Sequence, residues 1–273
     1  MEISEKCRIA AKQMRIDALR MTKHTGNTGA HIGGSLSMIE IMAVLYNGVM
    51  KYKATDTSWE GRDRFILSKG HGALTLYTAM KSVGLLSEEE LMTYKDNETR
   101  LYAHPSMNIK MGIEFSSGSL GQGLSLGVGT ALALKRKNND SSKVYVLVGD
   151  GECNEGQIWE AAMAASHYKL DNLTVIIDKN KLQYDGDTMD IINMDNLSDK
   201  WAAFGFETIT IDGHSVEQLL TAFQAETDKP KAIIGETIKG KGVSFMENNP
   251  IWHNNRLTDE QYKQAMSEQG VTI

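Results

Sequence analysis

The sequence is poor in the residues that staple or stiffen a fold. It has two cysteines, Cys7 and Cys153, and no C-x-x-C pair. That excludes a disulfide framework and a cysteine metal knuckle, and it leads us to expect a reducing, cytoplasmic compartment. Only three prolines occur, Pro105, Pro230 and Pro250, so glycine carries most of the punctuation. Basic charge is also short: 29 Lys and Arg stand against 35 Asp and Glu, for a net charge of -6. A nucleic-acid binder normally presents a basic face, so no nucleic-acid partner is expected. No apolar run approaches the ~20 residues of a membrane span, and the charged start from Met1 to Lys6 lacks the pattern of a secretory signal. No membrane partner is expected. The sequence has no internal repeat and no G-x-G-x-x-G. The one near match to a phosphate-binding P-loop, Gly235 to Gly242, places Gly242 where Ser or Thr must bind a metal and overlaps a strand, so it is set aside. With the overall field repelling anions, an anionic ligand needs local devices such as a metal ion or a helix N-terminus.

What is present is an alternation. Ser4 to Lys23 reads as an amphipathic helix with Ser4 as its cap. Thr25 to Ser35 reads as a Gly- and Thr-rich loop. Ser37 to Met50 reads as a helix opened by a Ser37/Glu40 capping box. Arg64 to Ser68 is a short strand, Gly72 to Val83 a helix ending at Gly84, and Ser87 and Glu90 cap another short helix. Gly121 to Lys137 is a helix lined with Gly123, Gly127, Gly129, Ala131 and Ala133. Each glycine costs about 1 kcal/mol in a helix interior, which implies close backbone packing, either in the core or against another chain. Strands then alternate with helices: Lys143–Val148, Leu173–Ile177, Phe206–Ile211 and Lys231–Ile238 with Glu155–Leu170, Ser198–Phe204 and Ser215–Glu226. Apolar strands alternating with helices predict a doubly wound α/β fold, a mainly parallel sheet with helices on both faces. We read residues 1–273 as one such domain, with an irregular tail from Lys239 to Ile273 that ends in a polar helix, Thr258 to Gln269.

Ligands of such sheets sit beyond the carboxyl ends of the strands. Gly149-Asp150-Gly151 follows one strand and Asp178-Lys179-Asn180 follows another. A right-handed crossover places both at one sheet edge, so Asp150 and Asn180 can face a shared point. A carboxylate and an amide oxygen suit Mg²⁺ when a diphosphate and water complete its shell. The glycines let a phosphate approach the backbone, and a helix beginning near Asn154 offers free N–H groups. Taken alone, Gly-Asp-Gly is as readily a plain tight turn; the strand-end Asn one βαβ unit later is what favours a site.

These residues resemble the thiamine-diphosphate motif, and the rest resembles the N-terminal part of transketolases. The matching segments run in family order over nearly the whole chain: Ala30 to Ser35, Ser68-Lys69-Gly70-His71-Gly72, Ala103-His104-Pro105, Gly118 to Gly123, Gly149 to Gly156, and Thr237 to Gly242. The resemblance implies thiamine diphosphate and Mg²⁺ as cofactors. Asp150, Asn180 and the Leu182 carbonyl would hold the metal. Gly151 and His71 would contact the diphosphate, and the backbone of Gly118, Ser119 and Leu120 the cofactor rings. His31, His71, His104 and His253 would serve the reacting centre, where imidazole suits proton movement near neutral pH. Glu155 and Glu160 resemble an acidic pair at a subunit interface, Glu155 also lying near the cofactor. Two matches depart from the pattern: Ile32 stands where the family usually has Pro, and Ala103 where it usually has Gly. His24, His167 and His214 have no motif around them and read as surface or packing residues.

The implied reaction moves a two-carbon ketol unit from a ketose phosphate to an aldose phosphate, as in the pentose phosphate pathway. Full transketolases are about twice this length or more. The resemblance therefore implies a partner chain carrying the pyrimidine-binding and C-terminal domains, in an α₂β₂ arrangement. On sequence grounds the alternatives are the α subunit of a 2-oxo-acid dehydrogenase E1 component, a fragment of a longer enzyme, and a non-catalytic relative that binds thiamine diphosphate.

Overall fold

The computed structural model describes residues 1–139 and 141–273. Chain order begins with helix α1 (Ile3–His24), α2 (Ile32–Leu36) and α3 (Ile39–Val44). Strand β1 (Arg64–Leu67) leads to α4 (Ala73–Ser82), α5 (Glu88–Leu91) and the long α6 (Gln122–Arg136). Then come β2 (Val144–Gly149), α7 (Gly156–His167) and β3 (Leu173–Lys179). A small hairpin of β4 (Leu182–Gln183) and β5 (Gly186–Asp187) is followed by α8 (Thr188–Ile191) and α9 (Leu197–Ala203). The chain finishes with β6 (Glu207–Asp212), α10 (Val216–Gln224), β7 (Lys231–Glu236) and α11 (Asp259–Glu268).

The five main strands form one sheet in the order β1-β2-β3-β7-β6, and every pairing is parallel. Side chains alternate across it, as the period of two requires. Phe65, Leu67, Tyr145, Leu147, Ile176 and Ile233 pack into the layer of α1, α3, α4 and α10. Ile66, Val146, Val148, Val175, Ile177 and Ile234 pack into the layer of α6, α7 and α9. This is the doubly wound arrangement expected from the alternating pattern. The strand β6, at the edge opposite β1, is the exception to the apolar strands: Glu207-Thr208-Ile209-Thr210-Ile211-Asp212 is half exposed. The glycines of α6 divide in two. A Cβ on Gly127 would lie 2.4 Å from Val146, and one on Gly123 2.5 Å from Ser68, so these two bring the helix onto the sheet. Gly129 faces open space.

The first fifty residues differ most from expectation. The first helix starts at Ile3 with Glu2 at its cap, and Ser4 is buried inside it. The Ser37/Glu40 capping box does not form: Met38 occupies the cap of α3. Tertiary partners claim both side chains instead. Ser37 Oγ donates to Asp178 Oδ2 at 2.6 Å, and Glu40 is bonded by Arg15 and by His214 Nδ1 at 2.9 Å. The expected loop from Thr25 contains α2, and α3 gives way to a π turn at Leu45–Val49. In the tail, Thr258 and Gln261 form the capping box of α11. No helix among the described residues is long and apolar enough to cross a membrane.

Candidate functional site

At the carboxyl edge of the sheet lies an open cleft of roughly 440 Å³. Four imidazoles line one part of it. His31 caps α2, His71 sits in a 3-10 turn after β1, His104 lies in the loop before α6, and His253 ends a second 3-10 turn. His31 is central: its ring centroid lies 5.8 Å from His71, 5.3 Å from His104 and 5.5 Å from His253. His71 and His253 are 5.2 Å apart. Burial, the largest cause, lowers the pKa of His31 to about 4 and of His253 to about 3, and holds His71 well below its usual value. Positive charge from Lys239 acts in the same direction on all three. These rings are neutral at physiological pH and serve as hydrogen-bonding groups.

The irregular segment that carries His253 is pinned to the His31 loop. Ala30 and Asn255 exchange two backbone hydrogen bonds of 3.0 and 3.1 Å. Gly33 permits the approach, since a Cβ there would stand 2.6 Å from the Trp252 carbonyl oxygen.

The strand ends line the other part of the cleft. β2 and β3 are neighbours in register, Gly149 opposite Asp178, which brings Asp150 and Asn180 to one place. Asp150 Oδ1 accepts from Gly151 N–H at 2.9 Å and Oδ2 from Lys181 N–H at 2.6 Å. Burial, then the charge of Asp178, pushes its carboxyl up to about 6. Asn180 Oδ1 accepts from Leu182 N–H at 3.1 Å, which leaves its second lone pair open. The Leu182 carbonyl accepts from Lys239 Nζ at 2.8 Å. The helix expected from Asn154 does not start there. A 3-10 turn covers Gly151–Asn154 and α7 begins at Gly156, because Asp150 and Glu152 use the first N–H groups for local turns.

Of the residues singled out by sequence, His31, His71, His104, His253, Gly118, Leu120, Asp150, Gly151, Glu155, Asn180 and Leu182 line this one cleft. Two do not. Ser119 is exposed and off the cleft wall, and Glu160 is exposed on α7, outside it. His24 and His167 are at the surface. His214 is a packing residue: it accepts from Ile238 N–H through Nε2 at 2.9 Å, so Nδ1 carries the proton toward Glu40.

Several cleft residues escaped sequence reasoning. Lys69 and Lys239, 1% and 2% exposed, supply the local positive charge that the composition withholds. Lys239 also reaches His253 Nδ1 at 3.1 Å. Its signal lies in the segment that fails as a P-loop. Glu152 is buried and accepts from Gly121 N–H at 2.8 Å and Gly149 N–H at 3.0 Å, tying the Gly118–Gly121 segment to β2. The β4–β5 hairpin adds Gln183 and Tyr184, whose ring meets His253 edge-on at 5.2 Å.

Residues 7–272 match the family described as transketolase, thiamine diphosphate binding domain. The chain belongs to the transketolase family. Among curated relatives, the 6-deoxy-6-sulfo-D-fructose transketolase subunit SqwG of Clostridium sp. (strain MSTE9) is 44% identical over 241 residues, 87% of each chain. An apulose-4-phosphate transketolase subunit of Phocaeicola vulgatus is 42% identical over 87% of this chain and 85% of its own. Human transketolase is 39% identical over 94% of this chain, which spans only 41% of the human protein. The crystal structure of transketolase from Campylobacter jejuni superposes with a TM-score of 0.90 at 30% identity, covering all of this chain and 43% of that one. This transketolase chain therefore corresponds to the thiamine diphosphate binding part of the longer enzymes, and it matches transketolase subunits over most of their length.

Proposed function

We propose that this transketolase subunit holds the diphosphate and Mg²⁺ end of thiamine diphosphate in the cleft, and that it transfers a two-carbon ketol unit between sugar phosphates once a partner chain completes the site. The observation that carries the reading is that four imidazoles, with ring spacings of 5.2 to 5.8 Å around His31 and His71, share one cleft with Asp150, Asn180 and Leu182.

The residues fit a cation. Asp150 is 6% exposed and has no ion-pair partner among the described residues. Beside it, the buried acceptors Asn154 Oδ1 and Gln183 Oε1 have no hydrogen-bond donor. Uncompensated buried acceptors around a carboxylate are what a hard divalent ion satisfies. Asp150, Asn180 Oδ1 and the second lone pair of the Leu182 carbonyl would hold Mg²⁺. His71, Gly151 and Lys239 would face the diphosphate, and Gly118 and Leu120 the rings. When bound, thiamine diphosphate supplies the electron sink for breaking and remaking a carbon–carbon bond. The chain's own work is to bind, orient and handle protons. His31, His104 and His253, neutral and close-packed, accept from and donate to the hydroxyls of the sugar beside that bond. Glu155 at the cleft rim and Glu160 on the outer face of α7 would meet a partner chain, in an α₂β₂ assembly.

The substrates are sugar phosphates or their close analogues. The names of two relatives carry 6-deoxy-6-sulfo-D-fructose and apulose 4-phosphate, so the range to test extends beyond xylulose 5-phosphate and ribose 5-phosphate. The test is a coupled ketol-transfer assay with thiamine diphosphate, Mg²⁺ and these donors, on the chain alone and mixed with a candidate partner carrying the pyrimidine-binding domain. Activity only in the mixture, abolished by Asp150→Ala, is the expected result. Equal activity without the partner, or survival of activity in Asp150→Ala, would overturn it.

A further inference from the structure

Asp178 is buried behind the cleft wall, 0% exposed, and its carboxylate is surrounded by donors. Oδ2 accepts from Lys69 Nζ at 2.5 Å, Ser37 Oγ at 2.6 Å and Asn180 Nδ2 at 3.1 Å. Oδ1 accepts from the Thr237 hydroxyl. These partners come from the ends of β1, β3 and β7 and from the turn between α2 and α3. Lys69 forms an ion pair with this carboxylate at 2.5 Å, and both groups are buried. An ionised carboxylate only accepts, so it fixes what its neighbours present to it.

For Asn180 this matters. The two ends of a carboxamide have nearly the same shape, and only its partners decide which way it points. Turned over, Asn180 would press its oxygen against Asp178 Oδ2 and its NH₂ against the Leu182 N–H, which now donates to Oδ1 at 3.1 Å. Both contacts forbid the flip. Of the two Asn180 ends, the one left for the cleft is the oxygen, the end a magnesium ion can use. Lys69 also donates to the Gly34 carbonyl at 2.8 Å, which ties the same pair to the α2 turn that bears His31.

We infer that Asp178, paired with Lys69, is a positioning residue that orients the Asn180 carboxamide with its oxygen toward the metal site. This rests on the reading of Asn180 as a metal ligand. Outer partners that orient ligands typically change metal affinity 10–100-fold when removed.

The test is Mn²⁺ binding, followed by the electron paramagnetic resonance signal of free Mn²⁺, on the full chain with saturating thiamine diphosphate. Four proteins are compared: wild type, Asp150→Ala, Asp178→Asn, and the double variant Asp178→Asn/Asn180→Asp. Asp178→Asn frees Asn180 to turn and weakens Mn²⁺ at least tenfold. In the double variant a symmetric carboxylate stands at position 180 and needs no orienting, while the amide at 178 donates to it. Affinity returns to within about threefold of wild type. A purely structural ion pair predicts no such recovery. Wild-type affinity in Asp178→Asn, or a folded double variant as weak as the single, overturns the inference. Failure of both variants to fold overturns it too, since Asp178 would then serve the fold. If Asp178→Asn binds normally while Asp150→Ala does not, only this inference falls. If Asp150→Ala also binds normally, the metal-site reading falls with it.

Discussion

Replacing Lys239 by methionine should make the ligand-free chain more stable while weakening its grip on an anion. The lysine is 2% exposed. Burial, then the charge of Lys69, brings its pKa from the usual 10.5 down to about 8. At roughly 1.4 kcal/mol per pH unit, keeping it charged at neutral pH costs the fold about 3 kcal/mol. Its hydrogen bonds to the Leu182 carbonyl and to His253 Nδ1 return about 1 kcal/mol each. The balance is about 1 kcal/mol against the charged lysine, and methionine fills a similar volume. The two acceptors left behind face an open cleft, where water can serve them. The melting temperature of Lys239→Met should therefore rise by about 2–4 °C at pH 7. The pH dependence has a definite sign. A lysine whose folded pKa is depressed penalises the fold below that value and stops doing so as pH climbs from 8 toward 10.5. The gap between variant and wild type should close over that range. In parallel, pyrophosphate or thiamine diphosphate with Mg²⁺ should bind about tenfold more weakly, the cost of one charge-assisted contact. Calorimetric melting at pH 7 and pH 10, with titration calorimetry for binding, checks both. A variant that melts lower at pH 7, or a gap that widens with pH, would refute the reasoning.

Gly33→Ala forces a Cβ against the Trp252 backbone carbonyl at 2.6 Å and should cost about 1–3 kcal/mol; a denaturant midpoint equal to wild type would contradict it. Gly129→Ala meets nothing within 4 Å and should stabilise the isolated chain by about 0.5–1 kcal/mol through helix propensity, read as a higher denaturant midpoint at constant slope. His31 and His253, whose folded pKa values are lowered to about 4 and about 3, lend stability that is complete above the unfolded value near 6.5 and lost as pH falls below it. The melting temperature should thus drop between about pH 6.5 and pH 4, and less steeply in His31→Gln/His253→Gln. Parallel acid limbs for the two proteins would show that the loss arises elsewhere.

The sheet was legible because its signal is local. Val144 to Val148 and Leu173 to Ile177 are apolar runs closed by Gly149-Asp150-Gly151 and Asp178-Lys179-Asn180, and their adjacency follows from the crossover rule. The edge strand β6 was legible only in position, since Glu207, Thr208, Thr210 and Asp212 break the apolar run that marks the buried strands. The region from Ser37 to Val49 misled because Ser37 and Glu40 have the spacing of a local cap yet are claimed by Asp178, Arg15 and His214, far away in sequence. The same limit hid Lys69 and Lys239 as site residues: nothing local marks a lysine as buried. His253 was placed by the resemblance alone, beyond the last matching segment, and what fixes it, the Ala30–Asn255 pairing and the space at Gly33, is a contact between opposite ends of the chain.

That pairing has a temporal side. The layer of α6, α7 and α9 draws nothing from beyond Glu236, whereas the cleft wall that carries His253 forms only when Asn255 has returned to Ala30. Closing a loop that long comes late, because its entropy must be met before its contacts give anything back. A chain emerging from the ribosome would lack both His253 and the pairing that pins the His31 loop until Asn255 is out. The four-histidine site is thus completed after the layer of α6, α7 and α9, together with the core that the last residues fill.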